Sequence, residues 1–246
     1  MVMKKMPEKN NVLITGASKG IGFVLAKHFA EKNFNVFVTA RSIKSLEELS
    51  KIPNIKGFYP CDLTKDCLFL YQEAKKNLGN IDILINNAGA YVCSEIEKTS
   101  DEDIKNLIKL NIEAPYKLSR LVIPDMKKRN FGRIINIGSI SGIVGEAYAT
   151  LYSMTKSSFI GFSKALALEV AEFGITVNTI HPGWVDTSLI HGENMTFEEK
   201  ELMETIPQRR FIAPEEIASL AEYLASPQAK GLTGQSINLC AGISMG

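Results

Sequence analysis

Val12-Leu13-Ile14-Thr15-Gly16-Ala17-Ser18-Lys19-Gly20-Ile21-Gly22 runs directly into Phe23-Val24-Leu25-Ala26-Lys27-His28-Phe29. The apolar run stopped by glycine reads as a strand, the glycine cluster as a turn, and the mixed apolar segment behind it as a helix. Glycine allows a tight turn and close backbone approach, and the free N–H groups and dipole at a helix start attract a pyrophosphate. Gly16, Gly20 and Gly22 are spaced G-x-x-x-G-x-G, not the G-x-G-x-x-G of the common dinucleotide fingerprint.

Outward from this unit, strand-like and helical runs alternate. Val12 to Thr15, Asn35 to Thr39, Gly57 to Tyr59, Ile81 to Ile85, Ile134 to Ile137, Thr176 to Ile180 and Ser236 to Leu239 read as seven strands. Between them lie amphipathic segments, among them Ser42 to Leu49, Lys65 to Leu78, Asp101 to Arg129, Tyr152 to Phe173 and Pro214 to Ala225. Such alternation predicts an α/β fold, one doubly wound Rossmann-type domain over residues 1–246, with a parallel sheet covered by helices on both faces. A polar, helix-prone insertion over 187–211 follows the sixth strand. Ligands of open α/β sheets bind beyond the carboxyl ends of the strands, so this insertion is placed to act as a lid.

Composition narrows the function classes. Lys and Arg number 28 against 27 Asp and Glu, which leaves no broad electrostatic footprint for nucleic acid or an anionic membrane surface. The apolar run after the N-terminal lysines is too short for a signal sequence, and no stretch has the length of a membrane span. Cys61, Cys67, Cys93 and Cys240 are scattered and read as reduced, mostly buried small residues, consistent with a cytoplasmic protein. His28, His181 and His191 are too dispersed for a metal site.

The chemistry points to Tyr152-Ser153-Met154-Thr155-Lys156, thirteen residues after Ser139. Residues four apart share a helix face, so Lys156 can sit beneath Tyr152 and favour its phenolate. That would bring a phenol toward the range in which it exchanges a proton with a substrate oxygen. A Tyr and a Lys four apart also occur by chance on many helices.

Thr15-Gly-Ala-Ser-Lys-Gly-Ile-Gly22, Asn86-Asn87-Ala88-Gly89, Asn111, Ser139, Tyr152-x-x-x-Lys156 and Pro182-Gly183 together resemble the short-chain dehydrogenase/reductase superfamily in order and spacing, from Asn10 to the C-terminus. The resemblance implies that Tyr152 exchanges the proton, Ser139 polarises the reacting oxygen, and Lys156 lowers the phenol pKa and binds the nicotinamide ribose. Asn111 would hold a water that continues the proton path. Ser139 as a turn cap and Asn111 as a backbone-bonded amide are the plainer alternatives.

For the cofactor, the resemblance implies a dinucleotide on Gly16, Ser18, Lys19, Gly20, Ile21 and Gly22. Asp62 and Leu63 would hold the adenine, Asn87, Ala88 and Gly89 would line the adenosine ribose, and Pro182, Gly183, Val185 and Thr187 would line the nicotinamide. An acid at the end of the second strand would bind the ribose 2′-OH. Ala40 stands there instead, followed by Arg41, and with Lys19 nearby the expectation is NADP(H).

The nearest pattern within the family is that of 3-oxoacyl-(acyl-carrier-protein) reductases. It implies an acyl-thioester or other small-molecule carbonyl substrate; Lys127-Lys128-Arg129 could form part of a docking site for an acidic carrier protein, with a solvated helix end favoured by the helix dipole as the plainer reading. Phe173 replaces a basic residue that those reductases carry. The expected substrate wall is Ser139, Ser141, Tyr91, Val92, Tyr148, Trp184 and Met195, with no Lys or Arg between Ile140 and Tyr148 to clamp a free carboxylate. This fits a neutral ketone or secondary alcohol as well as a thioester. A homotetramer through the two long helices is the family expectation. A dinucleotide-binding regulator without turnover is the alternative of another class.

Overall fold

The computed structural model describes residues 10–187 and 196–245. β1 (Asn11–Thr15) leads into α1 (Gly20–Glu31), β2 (Asn35–Ala40) into α2 (Ile43–Ser50), and β3 (Ile55–Pro60) into α3 (Cys67–Leu78). After β4 (Ile83–Asn86) come α4 (Asp101–Ile108) and α5 (Ala114–Arg129), then β5 (Gly132–Ile137), the one-turn α6 (Ser141–Val144) and α7 (Thr150–Val170). β6 (Ile175–Pro182), α8 (Phe197–Thr205), α9 (Pro214–Ala225) and β7 (Ser236–Leu239) complete the order.

All seven strands pair in parallel, in the order β3-β2-β1-β4-β5-β6-β7. The chain winds outward from β1 to β3 and then returns to the other side of β1. The order therefore reverses between β1 and β4, where an open sheet of this kind forms its ligand crevice.

Period-two alternation assigns each strand residue to a layer. Val12 and Ile14 pack with Leu25 and Phe29 of α1 and Ile217 of α9, whereas Leu13 packs with Leu70 of α3 and Leu118 of α5. With both faces covered, the strands read as continuous apolar runs. Each fully buried leucine or isoleucine contributes about 1.5–3 kcal/mol.

One rung of the central sheet is polar. Asn86, Asn136 and Thr179 are cross-strand partners on β4, β5 and β6. Asn86 Nδ2 donates to Asn136 Oδ1 (2.8 Å), Asn136 Nδ2 donates to Ser163 Oγ of α7 (2.9 Å), and that hydroxyl bonds Thr179 Oγ1 (2.8 Å).

Several boundaries differ from the sequence reading. The segment 101–129 is not one regular helix: a π-helical turn, Lys109–Glu113, separates α4 from α5 and carries Asn111. Single π turns inside helices often lie at functional sites, and the Asn111 side chain in this one makes three hydrogen bonds. α7 starts two residues earlier than expected and ends at Val170, followed by a 3₁₀ turn over Ala171–Phe173. β4 begins at Ile83, two residues later than expected, and just before it Asn11 donates its backbone N–H to the Asp82 carboxylate (2.9 Å).

In the expected lid over 187–211, residues 188–195, with Met195 and His191, lie outside the described residues. Beyond them α8 is helical as its composition predicts, and Thr196 and Glu199 close a reciprocal capping box at its start. Among the described residues, no helix is long and apolar enough to cross a membrane. Three cysteines are buried, but Cys93 is exposed, in the loop after β4.

Candidate active site

The crevice at the strand reversal has a wall of backbone. Gly16 adopts φ 71°, open to glycine at no steric cost. A Cβ on Gly22 would lie 2.2 Å from Gly16 O and 2.5 Å from Asn87 Nδ2, so any side chain there would push the turn apart. Thr15 Oγ1 accepts from the backbone N–H groups of Asn87 and Ala88, both at 3.0 Å. Asn87 Nδ2 in turn donates to Thr15 O (2.9 Å) and Gly16 O (3.1 Å). The Asn87 amide hydrogens, expected beside the adenosine ribose, are thus spent bracing the glycine turn, and only the rest of 87–89 is left to face a ligand.

Lys19 is exposed at the N-cap of α1, and Arg41 is exposed immediately after β2. Among the described residues, neither forms an ion pair. Asp62 follows β3 with Leu63 buried beside it. The backbone and hydroxyl of Thr64 donate to Asp62 Oδ1 (3.0 and 2.8 Å) and hold its carboxyl below the ordinary range, with smaller help from Lys65 and Arg41.

The loop after β6 closes the other side. Ile140 donates its N–H to Pro182 O (2.8 Å), Gly183 to Leu239 O (2.9 Å), and Val185 bridges Ile212. The methyl of Thr187 lies 3.5 Å from where a Gly20 Cβ would stand, so this loop overhangs the glycine turn. A cleft of about 340 Å³ opens beside them, lined by Gly20, Phe23, Asp186, Thr187, Pro214 and neighbours.

At the carboxyl ends of β4 to β6 the side chains converge. Lys156 is buried and donates from Nζ to Ile137 O at the end of β5 (2.8 Å). Its ammonium lies 5.7 Å from the centre of the Tyr152 ring. Gly89 passes over both: a Cβ there would lie 3.3 Å from Lys156 Nζ and 3.4 Å from Asn111 Oδ1. Ser139 hydrogen-bonds the Tyr152 side chain. Asn111, Ser139, Tyr152 and Lys156 are therefore neighbours around one point.

One expectation is corrected here. Tyr152 is not shifted toward its phenolate: burial pushes its pKa up, and the Glu146 carboxylate adds to that rise, against an opposing Ser139 hydrogen bond. Lys156, whose charge was expected to lower it, is itself pushed down to about 8 by burial. Asn111 follows the plainer reading of its side chain. Nδ2 donates to Ala90 O and Thr155 Oγ1, both at 3.0 Å, and Oδ1 accepts from Ala90 N (2.9 Å).

The expected substrate residues form an open rim. Tyr91, Tyr148 and Trp184 are 51%, 62% and 36% exposed, and Ser141 is buried. The Tyr91 ring packs edge-on against Tyr152, with centroids 4.9 Å apart.

Sequence reading missed three contributors. Thr15 and Thr155 act through bonds to positions 72 and 44 residues away, for which no local pattern exists. His181 is fully buried and donates from Nδ1 to Ser139 O (3.1 Å), holding the backbone from which the Ser139 hydroxyl projects.

The comparisons agree with this geometry. The family model for short chain dehydrogenases matches residues 10–196. An uncharacterized oxidoreductase, YxjF of Bacillus subtilis, is 38% identical, the match covering 95% of this chain and 98% of the relative. The 3-oxoacyl-(acyl-carrier-protein) reductase FabG of Buchnera aphidicola is 37% identical over 97% of this chain and 98% of its own. Among solved structures, an actinorhodin polyketide ketoreductase variant with NADPH superposes with a TM-score of 0.89 at 30% identity, covering 96% of this chain and 97% of that one. Motif order, sheet topology and similarity along nearly the whole length agree, and the chain belongs to the short-chain dehydrogenase family.

Proposed function

We propose that the protein is an NADP(H)-dependent carbonyl reductase acting on 3-oxoacyl thioesters, with Tyr152 as proton donor. The observation that carries this reading is the convergence of Ser139, Tyr152 and Lys156 at the mouth of a crevice whose other wall is the glycine turn.

The residues fit a phosphorylated dinucleotide. Backbone approach at Gly16 and Gly22 leaves room for a pyrophosphate at the start of α1. Arg41 and Lys19 offer exposed cations where an acid would select the unphosphorylated cofactor. Pro182, Gly183, Val185 and Thr187 would hold the nicotinamide end, and the bound cofactor would supply the hydride.

The chain supplies the proton and the positions. Burial keeps Tyr152 protonated, so it can donate to the carbonyl oxygen as negative charge develops there. Ser139 turns its hydroxyl to the same oxygen and stabilises that charge. Lys156 anchors to Ile137 O with one hydrogen and keeps two for a ribose hydroxyl and the phenol.

For the thioester substrate, support comes from relatives named as 3-oxoacyl-(acyl-carrier-protein) reductases and from a polyketide ketoreductase of the same shape. A second reading, reduction of a bulky neutral ketone, is favoured by one feature. Phe173, in place of a basic residue, carries the Lys127 ammonium 4.6 Å above its ring, so one cation of the candidate carrier-protein site is held by an aromatic face. One domain over 1–246, a cytoplasmic location and a homotetramer through the outer faces of α5 and α7 complete the proposal.

NADPH oxidation is to be followed with acetoacetyl-CoA, a 3-oxoacyl carrier protein and bulky ketones, with NADH in parallel. Preference for the carrier-bound thioester establishes the first reading. Turnover of ketones alone establishes the second, and tight NADPH binding without turnover of any of them overturns both.

A further inference from the structure

Glu146 lies in the turn between α6 and α7, and both of its carboxylate oxygens are taken. Tyr91 OH donates to Oε1 and Ser141 Oγ donates to Oε2, each at 2.6 Å. Short bonds to an ionised acceptor are strong ones. The Tyr91 ring that delivers one of them packs edge-on against Tyr152. The loop is tied a second time where Ser94 N–H donates to Tyr148 O (2.6 Å).

The other bond continues inward. Ser141 gives its only hydroxyl hydrogen to Glu146, so toward Ser139 it can only accept, and Ser139 Oγ donates to it (3.1 Å). A hydrogen-bonded file thus runs in one direction from Ser139 through Ser141 to the carboxylate. Ser139 can donate to an ionised Tyr152 oxygen only by withdrawing its hydrogen from Ser141.

We propose that Glu146 is a positioning residue for the reaction: through its charge and the Ser141–Ser139 file it holds Tyr152 in the proton-donating form, which carries carbonyl reduction to higher pH and delays the onset of alcohol oxidation by the same interval. The inference rests on Tyr152 being the proton donor. The groups facing this unit are Lys156 on α7, His181 on β6 beneath Ser139, Cys93 beside Tyr91 in the loop after β4, and Asn111 through Thr155. Burial and Glu146 both push the phenol up, against the Ser139 hydrogen bond.

The test measures kcat/KM against pH in both directions for wild type, Glu146→Gln, Ser141→Ala and Tyr152→Phe. In Glu146→Gln the alkaline limb of reduction and the acid limb of oxidation both move down by about one pH unit, as expected for removing a nearby like charge. Ser141→Ala keeps the charge and breaks the file, giving a smaller shift of the same sign. A uniform drop in rate with both limbs unmoved would overturn the inference and leave Glu146 a packing residue. Turnover surviving in Tyr152→Phe would instead overturn the reading on which it rests.

Discussion

At the glycine turn the site is made of backbone, whereas at the Tyr152 corner it is made of side chains that reach across several elements. The first wall works by leaving things out: no Cβ at Gly22 and no acid at Ala40. The second works by commitment. Lys156, Asn111, His181 and Glu146 all have hydrogen-bond partners far away in sequence or in another element. A wall of backbone tolerates surface change around it but no added atom, and a wall of side chains fails residue by residue.

The sharpest break in that comparison is Tyr152→Phe. Turnover is expected to fall about a thousandfold, with NADPH affinity measured by fluorescence titration unchanged. Equal loss of both would place Tyr152 in binding rather than proton transfer, and unchanged turnover would overturn its role as proton donor.

The backbone wall is broken by Gly22→Ala. The added carbon meets Gly16 O, a backbone atom that cannot swing away. A loss of about 1–3 kcal/mol in stability is expected from such overpacking. NADPH affinity should fall more steeply than kcat at saturation, and calorimetry with steady-state kinetics separates the two.

Arg41→Ala tests whether the exposed rim of the backbone wall selects the cofactor. Loss of a charge-assisted contact to the 2′-phosphate should lower the NADPH-to-NADH ratio of kcat/KM by about ten- to a hundredfold. An unchanged ratio would transfer selection to Lys19.

The smallest effect sharpens the cost of the side-chain wall. Folded Lys156 binds its proton with a pKa of about 8, against 10.5 for an ordinary lysine. Below pH 8 its burial opposes folding in full. Between about pH 8 and 10.5 the unfolded chain holds the extra proton, so this penalty fades as pH rises. Wild-type melting temperature, measured relative to Lys156→Met, should therefore climb across that window and stay level below it.

The same contrast explains what the sequence made legible. Gly16, Gly20 and Gly22 act over a few residues, so their spacing reveals the turn, and the two-residue period of Val12, Leu13 and Ile14 reveals the sheet. Tyr152 and Lys156 share a helix face and are legible for the same reason. The direction of the Tyr152 shift was not, because it depends on burial and on Glu146 held by Tyr91, 55 residues away. The π turn at Lys109–Glu113 was hidden too: the Asn111 side chain in it bonds Ala90 and Thr155, 21 and 44 residues away, while the apolar pattern of 101–129 stays compatible with an unbroken helix.

The polar rung of Asn86, Asn136 and Thr179 has a consequence for assembly of the chain. Beside it, residues 12–14 of β1, 83–85 of β4 and 134–135 of β5 are similar runs of isoleucine, leucine and valine, which would pair almost equally well after a slip along their length. A slip of one residue turns every side chain to the opposite layer. It would strand two amides and two hydroxyls among hydrocarbon with nothing to bond. The rung thus works as a proofreading mark: it makes misaligned sheets costly before the active-site loops they carry have come together.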